Sequence, residues 1–482
     1  MSKKVTLAGL SYIEGVNMES ESSNSRCLGV FSLVMIAIVS VDSIRNLPII
    51  AQYGLPLVSF FLVAGLAFFL PLTWISSQLA IRYPHAGGSY LWIEAAFGKK
   101  FGYLSIWLQW VYNIIWYPTI FAFLSSILAT MLAPGLEDNK WFILGSCASL
   151  YWIITYIHSK GVKMSGLIST VSTLVGTLFP MALMIGAAVY WLASGSPSAI
   201  TFSAKDLIPN ETTYNNLAYF SNFLFSLLGI EVIAMHAANV KNPTVTYPKA
   251  LSISAPIILI SLMLSSLALC VIVPPEKIGI ITGIMDVFDL FFKQYYPGGT
   301  FIIGWSIVIG CLGIASSWMI GLARGLHVAF TAINAPKPLQ KLNKSGAPVN
   351  VLIFQGVVYT ILLSAFLLLP GVNSSYWLLS ALTAQFALSY YVILFFAAIK
   401  LLRSKKHSRI RAFMSTAIPL LAVFISVIGI GVGFLPPDEI GKHHILHYEL
   451  FMIGSLITFC MIPFLFLRNR TAKSAKTAAL SP

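Results

Sequence analysis

Charge is what this sequence has least of. Only 10% of its 482 residues are Asp, Glu, Lys or Arg, against about 25% in an average soluble domain. So few charged groups cannot coat a water-facing surface of this size. That disfavours a large soluble enzyme, a disordered chain and a nucleic-acid-binding domain. Acidic residues are the scarcer half, 16 against 30 Lys and Arg, which leaves a formal net charge of +14. Cysteine is sparse too: Cys27, Cys147, Cys270, Cys311 and Cys460 all lie in or beside apolar runs. An odd count without C-x-x-C spacing reads as buried free thiols. P-loop, H-E-x-x-H and G-x-S-x-G patterns are absent from the sequence, and nothing pairs a nucleophile with a base. Neither enzyme chemistry nor a cofactor is expected.

What the chain has instead is apolar length. Residues of the AVILMFWYC set make up 57%, and the mean hydropathy is +0.83. A membrane-crossing helix needs about 20 apolar residues. A window of about 19 residues picks out twelve spans, near 27–50, 55–81, 102–132, 141–158, 165–193, 214–238, 248–273, 299–330, 348–370, 375–402, 412–435 and 446–467. Residues 1–26 are polar and small, without the apolar core of a cleavable signal. They are expected to form a cytoplasmic N-terminal segment, and 468–482 a short basic cytoplasmic tail.

Lys and Arg counted over the connectors set the orientation. With both termini in the cytoplasm, 24 of the 30 basic residues fall on that side. The other side receives Arg45, Lys140, Lys205, Lys277, Lys293 and Lys442. This bias accounts for the net charge by topology and lipid headgroup contact, with no nucleic acid.

Polar groups inside spans are costly and usually face a cavity or a partner. The first span reads LGVFSLVMIAIVSVDSIRNLPII, with Asp42, Ser43, Ile44, Arg45 and Asn46 followed by Pro48. Proline removes an amide donor and disfavours helix in the residue before it. One reading ends the span at Val41; the other breaks the helix near Ser40–Arg45 and resumes it at Leu47. The break is preferred, because a helix stopping at Val41 is too short to cross. In the sixth span Gly229 precedes Ile230 and Glu231, and His236 follows. Interrupted segments in corresponding positions of two halves point to a binding site at the bilayer midplane. Amides freed at such breaks suit an anionic group, and freed carbonyls a cation. Glu231 is either a coupling carboxyl or a structural one. His236, nearer the span end, is a further coupling candidate. His443, His444 and His447 lie in an outward connector, as a plain loop or as a pH- or metal-responsive patch.

Several segments in order carry a family likeness. They are Tyr83-Pro84-His85-Ala86-Gly87-Gly88-Ser89-Tyr90-Leu91-Trp92, Gly229-Ile230-Glu231 with Lys241-Asn242-Pro243 and Tyr247-Pro248, and Ala315-Ser316-Ser317-Trp318 with Arg324-Gly325. Asn343-Lys344-Ser345-Gly346-Ala347-Pro348-Val349 and Phe434-Leu435-Pro436-Pro437-Asp438 complete the series. Across about residues 25–470 the chain resembles the amino acid–polyamine–organocation (APC) permeases, nearest their bacterial glutamate/GABA antiporter group. The resemblance implies an all-α integral membrane protein of about 12 transmembrane helices in the bacterial inner membrane. Its fold would be LeuT-like, with inverted five-helix repeats over 27–193 and 214–402, two additional helices over 412–467, and spans 1 and 6 broken. It implies alternating access for amino acids or their decarboxylation products.

The expected substrate-binding residues are Ser40, Asp42, Ser43, Ile44, Arg45, Gly229, Ile230, Glu231, Trp318 and Tyr391, with Glu231 and His236 as coupling candidates. Trp318 could pack over an ammonium group or be an ordinary apolar residue. No metal site is expected, Ser316 and Ser317 being secondary candidates for sodium. Departures from the family pattern are the Asp42–Arg45 segment, Ala387 in place of an aromatic residue and Gln78 in place of an acid. A further one is Ser169, Thr170, Ser172 and Thr173 where some relatives have a lysine. Nothing in the short tail corresponds to the C-terminal plug of the acid-resistance antiporters. The leading expectation is amino-acid exchange; the alternatives are proton- or sodium-coupled uptake and a non-transporting receptor. A homodimer stays open, since no heptad seam or G-x-x-x-G pair stands out.

Overall fold

Helices without a charged face must be buried in protein or in lipid, and the membrane-length apolar runs here carry almost no charge. The computed structural model describes residues 28–83, 88–137, 139–161, 166–209, 217, 220–296, 298–332, 335–368, 371–403, 409–435 and 445–478. Among these the chain is nearly all helix; no strand is present beyond an isolated bridge between Leu28 and Val240. Nine helices among the described residues are long and apolar enough to cross a membrane. Three shorter apolar helices accompany them, Phe220–Ala234, Val349–Leu363 and Tyr448–Pro463. These three fall in the expected spans 214–238, 348–370 and 446–467.

The elements run as α1 (Val30–Val41), α2 (Leu47–Ala51), α3 (Leu57–Arg82), α4 (Ser89–Phe97), α5 (Lys99–Leu132), α6 (Lys140–Ser159) and α7 (Thr170–Ala193). Then come α8 (Phe220–Ser226), α9 (Pro243–Ile272), α10 (Gly283–Tyr295), α11 (Gly299–Ala332) and α12 (Val349–Leu363). The chain finishes with α13 (Val372–Leu402), α14 (Arg409–Val432) and α15 (Ile445–Ala478). Helices α4 and α10 were not anticipated, because both sit in stretches read as connectors. Cys147, Cys270 and Cys311 are buried free thiols and Cys460 is half-buried, while Cys27 lies outside the described residues.

Helix α5 is the axis of the bundle. Its 34 residues extend about 50 Å at 1.5 Å per residue, and it packs against α4, α6, α11, α12, α13 and α15. Nearly all of it from Gly102 to Ile127 is buried. Hence the polar side chains it carries face protein rather than lipid.

The α7–α11 contact depends on glycine. Gly176 sits in a wide π turn, Leu174–Leu178, which interrupts α7. A Cβ on Gly310 would come within 2.3 Å of the Gly176 carbonyl oxygen. Small residues let helix backbones approach this closely, and the Ser306 hydroxyl then donates to the Val175 carbonyl of the π turn. Gly310→Val should therefore push the helices apart and destabilise the protein by about 1–3 kcal/mol, read as a lower thermal midpoint in detergent. Gly321→Val, on the same helix with open space around it, should leave the midpoint unchanged.

Candidate substrate site

Helix α1 stops at Val41, and Asp42 and Ser43 are extended, with ψ of 95° and 110°. A 3-10 turn over Ile44–Asn46 then leads into α2. The second interruption lies between α8, ending at Ser226, and a 3-10 helix over Ile230–Asn239. Gly229 stands between them at φ 106°, a conformation that L side chains rarely adopt. The two interruptions meet: a Cβ on Gly229 would lie 2.6 Å from the Ser40 carbonyl oxygen and 3.3 Å from the Trp318 ring.

Beside this crossing is a small cavity of about 50 Å³, lined by α1 with its break, α5, the Phe225–Gly229 segment and α11. Of the residues expected from sequence, Ser40, Ser43, Arg45, Gly229 and Trp318 line it. Asp42, Ile44, Ile230, Glu231 and Tyr391 are fully or almost fully buried but stand behind the wall. Tyr112, Asn113 and Trp116 of α5, with Phe225, also line the cavity, and sequence reasoning missed them. The signal was there: Gln109, Tyr112, Asn113, Trp116 and Thr119 fall at helical spacing on one face of an otherwise apolar run.

Arg45 is 1% exposed. The charge count assigns it to an outer connector; the break turns it into the protein interior instead. Its Nη1 donates to Thr119 Oγ1 at 2.7 Å and to the Tyr376 hydroxyl at 3.0 Å. The guanidinium carbon lies 5.4–5.7 Å from the ring centres of Tyr376, Trp116 and Phe225. Nε has no hydrogen-bond partner, and no carboxylate of the described residues lies within ion-pair distance. A positive charge thus sits in the cavity wall with only neutral partners among the described residues.

The two buried carboxyls are held differently. Asp42 turns to α9, where the Ser261 hydroxyl donates to Oδ2 at 2.7 Å and Oδ1 has no partner. Glu231 accepts from the Tyr391 hydroxyl at 2.7 Å, and that hydroxyl accepts from the Gly229 amide at 3.0 Å. Tyr391 of α13 therefore ties both sides of the second interruption together. Ser40, though it lines the cavity, donates its hydroxyl back to the Ile36 carbonyl.

The secondary sodium candidates have other partners. Ser316 Oγ is 2.9 Å from His158 Nε2, and Ser317 Oγ donates to the Gly313 carbonyl. His158, buried near the end of α6, was also not singled out from sequence. Among α7 hydroxyls, Thr173 donates to the Met35 carbonyl of α1 at 3.2 Å; the Ser169 side chain lies outside the described residues. So do the side chains of His236 and His447, and His443 and His444 entirely.

A helical membrane bundle that encloses a cavity at the meeting point of two interrupted helices, one wall carrying a buried cation, is the architecture of an integral membrane permease. The amino acid permease family model matches residues 28–462, and the chain belongs to that family. It is 40% identical over 454 residues to an uncharacterised transporter of Legionella pneumophila, covering 92% of this chain and 97% of that protein. A glutamate/gamma-aminobutyrate antiporter of Lactococcus lactis is 25% identical over 457 residues, covering 92% and 90%. A probable agmatine/putrescine antiporter of the same organism is 25% identical over 413 residues, covering 83% and 86%. Family and relatives are transporters rather than enzymes.

Two substitutions separate the supports of the site. Gly229→Ala adds a methyl against the Ser40 carbonyl at a left-handed φ, so thermal stability should fall by about 1–3 kcal/mol. Tyr391→Phe strands a buried amide and a carboxyl oxygen, with an expected loss of about 1–3 kcal/mol. Glu231→Gln keeps an acceptor for Tyr391 and should lower the thermal midpoint less than Tyr391→Phe does.

Proposed function

We propose that this protein is a secondary amino-acid transporter that works by exchange, with alternating access around the cavity at the two helix interruptions. The observation that carries this reading is Arg45, a nearly unexposed guanidinium in the cavity wall without a carboxylate partner among the described residues. Burying an ion costs several kcal/mol even after relaxation. Hydrogen bonds from a charged group to neutral hydroxyls return about 1.5–3 kcal/mol each, and contacts with rings about 0.5–2 kcal/mol. A carboxylate about 4 Å away would add about 4 kcal/mol at an effective dielectric of 20. The group that completes the wall is therefore an anion, and an amino acid supplies one. Its carboxylate would engage Arg45. Its ammonium would meet the carbonyls near Ser40 and the Ile230 end of the second interruption, and its side chain would lie against Trp318, Tyr112 and Trp116. Glu231, with Tyr391, would act by holding that interruption in shape.

The architecture we assign to this function is twelve crossings, with inverted five-helix repeats over 27–193 and 214–402 and two additional helices over 412–467. Both termini, 1–26 and 468–482, would lie in the cytoplasm of a bacterial cell. Matches to antiporters named for glutamate/gamma-aminobutyrate and agmatine/putrescine support exchange of amino acids with amines.

A second reading, proton-coupled uptake, rests on Asp42, whose buried Oδ1 has no partner and which sits in the extended segment of the first interruption. Counterflow separates the two readings. Proteoliposomes preloaded with a panel of amino acids and amines should take up labelled substrate, and empty ones under an imposed proton gradient should not. Arg45→Gln should lower uptake at least about tenfold, the equivalent of 1.4 kcal/mol. Uptake into empty vesicles driven by the gradient would favour the second reading, and no flux with any preload would remove exchange.

A further inference from the structure

Away from the cavity, one end of the bundle carries a groove with a character of its own. The C-terminal turns of α13 meet α4 and the start of α5 there. The groove, open on one side, offers about 840 Å³ along Phe97, Phe101, Phe396 and Ile399 and ends at Lys400 and Arg403. Phe101 and Phe396 are 42% and 44% exposed, and Lys400 and Arg403 are exposed. Lys400 Nζ stands 5.2 Å from the Phe97 ring centre. No carboxylate of the described residues is within ion-pair distance of either cation.

We propose that this groove is a specific site for one anionic phospholipid, whose phosphate sits between Lys400 and Arg403 and whose acyl chain lies along the aromatic floor. Three observations select that occupant. The floor is apolar and runs lengthwise on a membrane-spanning helix. From Ile393, at its deep end, to Arg403 is about 15 Å at 1.5 Å per residue, half of a hydrocarbon core about 30 Å thick. The cations lie only at the end of the groove where α13 terminates, and basic pockets between transmembrane helix ends bind anionic headgroups. Both cations also lack a carboxylate partner among the described residues, so a phosphate fills a charge gap that a neutral lipid leaves open.

The groove has a mechanical position. Arg82, at the end of α3, donates to the Leu401 carbonyl at 3.0 Å, and the Ser89 hydroxyl of α4 is hydrogen-bonded to the Tyr390 hydroxyl of α13. Tyr390 is the neighbour of Tyr391, which braces the second interruption. A lipid spanning α4, α5 and α13 clamps the helix that carries this brace.

The test uses the full-length protein in detergent with either phosphatidylglycerol or phosphatidylcholine of matched chains. Bound lipid is counted by native mass spectrometry and the thermal midpoint is recorded. Wild type should retain one phosphatidylglycerol and gain a few degrees from it, and gain less from phosphatidylcholine. Lys400→Gln/Arg403→Gln should lose both the retained lipid and the difference between lipids. Lys337→Gln/Lys341→Gln, which removes two exposed cations from another connector, should keep both. Equal protection by the two lipids, or equal loss in the two double variants, overturns the proposal. The readout needs no transport, so it stands or falls independently of the exchange reading.

Discussion

Two stretches of backbone touch at the centre of this protein because one of them has no Cβ. Gly229 rests against the Ser40 carbonyl with less room than a methyl group needs, and its positive φ is one that other residues rarely adopt. In an apolar surrounding, unpaired backbone groups are expensive, so interruptions in two helices are tolerated only where something else satisfies them. Here the Tyr391 hydroxyl binds the Gly229 amide and the Glu231 carboxyl together. The interruptions, the cavity beside them and the direction of the charged side chains all follow from that contact.

The first interruption separates two charges that a continuous helix would keep on one face. Asp42 and Arg45 are three apart, the spacing at which helical side chains are neighbours and opposite charges attract. With Asp42 and Ser43 extended, Asp42 turns to Ser261 on α9 and Arg45 to Thr119 on α5 and Tyr376 on α13. An internal ion pair would have neutralised the site. Keeping the pair apart leaves the cavity wall positive and the carboxyl outside the cavity.

Much of this was legible in the sequence, for reasons that also explain what was not. Hydropathy locates the helices because length and apolarity are the property a membrane selects. The interruptions are legible because Asp42–Asn46 with Pro48, and Gly229 with Glu231, break the apolar pattern in short, dense clusters. Tyr112, Asn113, Trp116 and Thr119 are not, since they are diluted in a long run where aromatic residues are common and no residue is charged. Their helical spacing is visible in the sequence, but it marks a site only once α5 is known to be buried on nearly every side. Arg45, expected at the site from the break, was put outside only by the charge count. Counting charges by connector treats a cation near a span end as external, while a break turns it inward. His158 lay too near the end of α6 to be told from an ordinary boundary residue until Ser316 was found beside it.

The buried cation also bears on how such a protein could cycle, on the reading proposed for it. Moving an empty site through an occluded state would leave Arg45 among neutral hydroxyls and rings, with the desolvation penalty of several kcal/mol only partly offset. Moving a filled site through the same state would carry a carboxylate against the guanidinium, worth about 4 kcal/mol at the effective dielectric of such sites. Each 1.4 kcal/mol of that difference is about a factor of ten in relative population. An occluded intermediate that is far better populated with substrate than without favours passage in both directions with cargo aboard. Exchange then needs no separate coupling device, because the uncompensated charge in the wall is itself what disfavours the empty return.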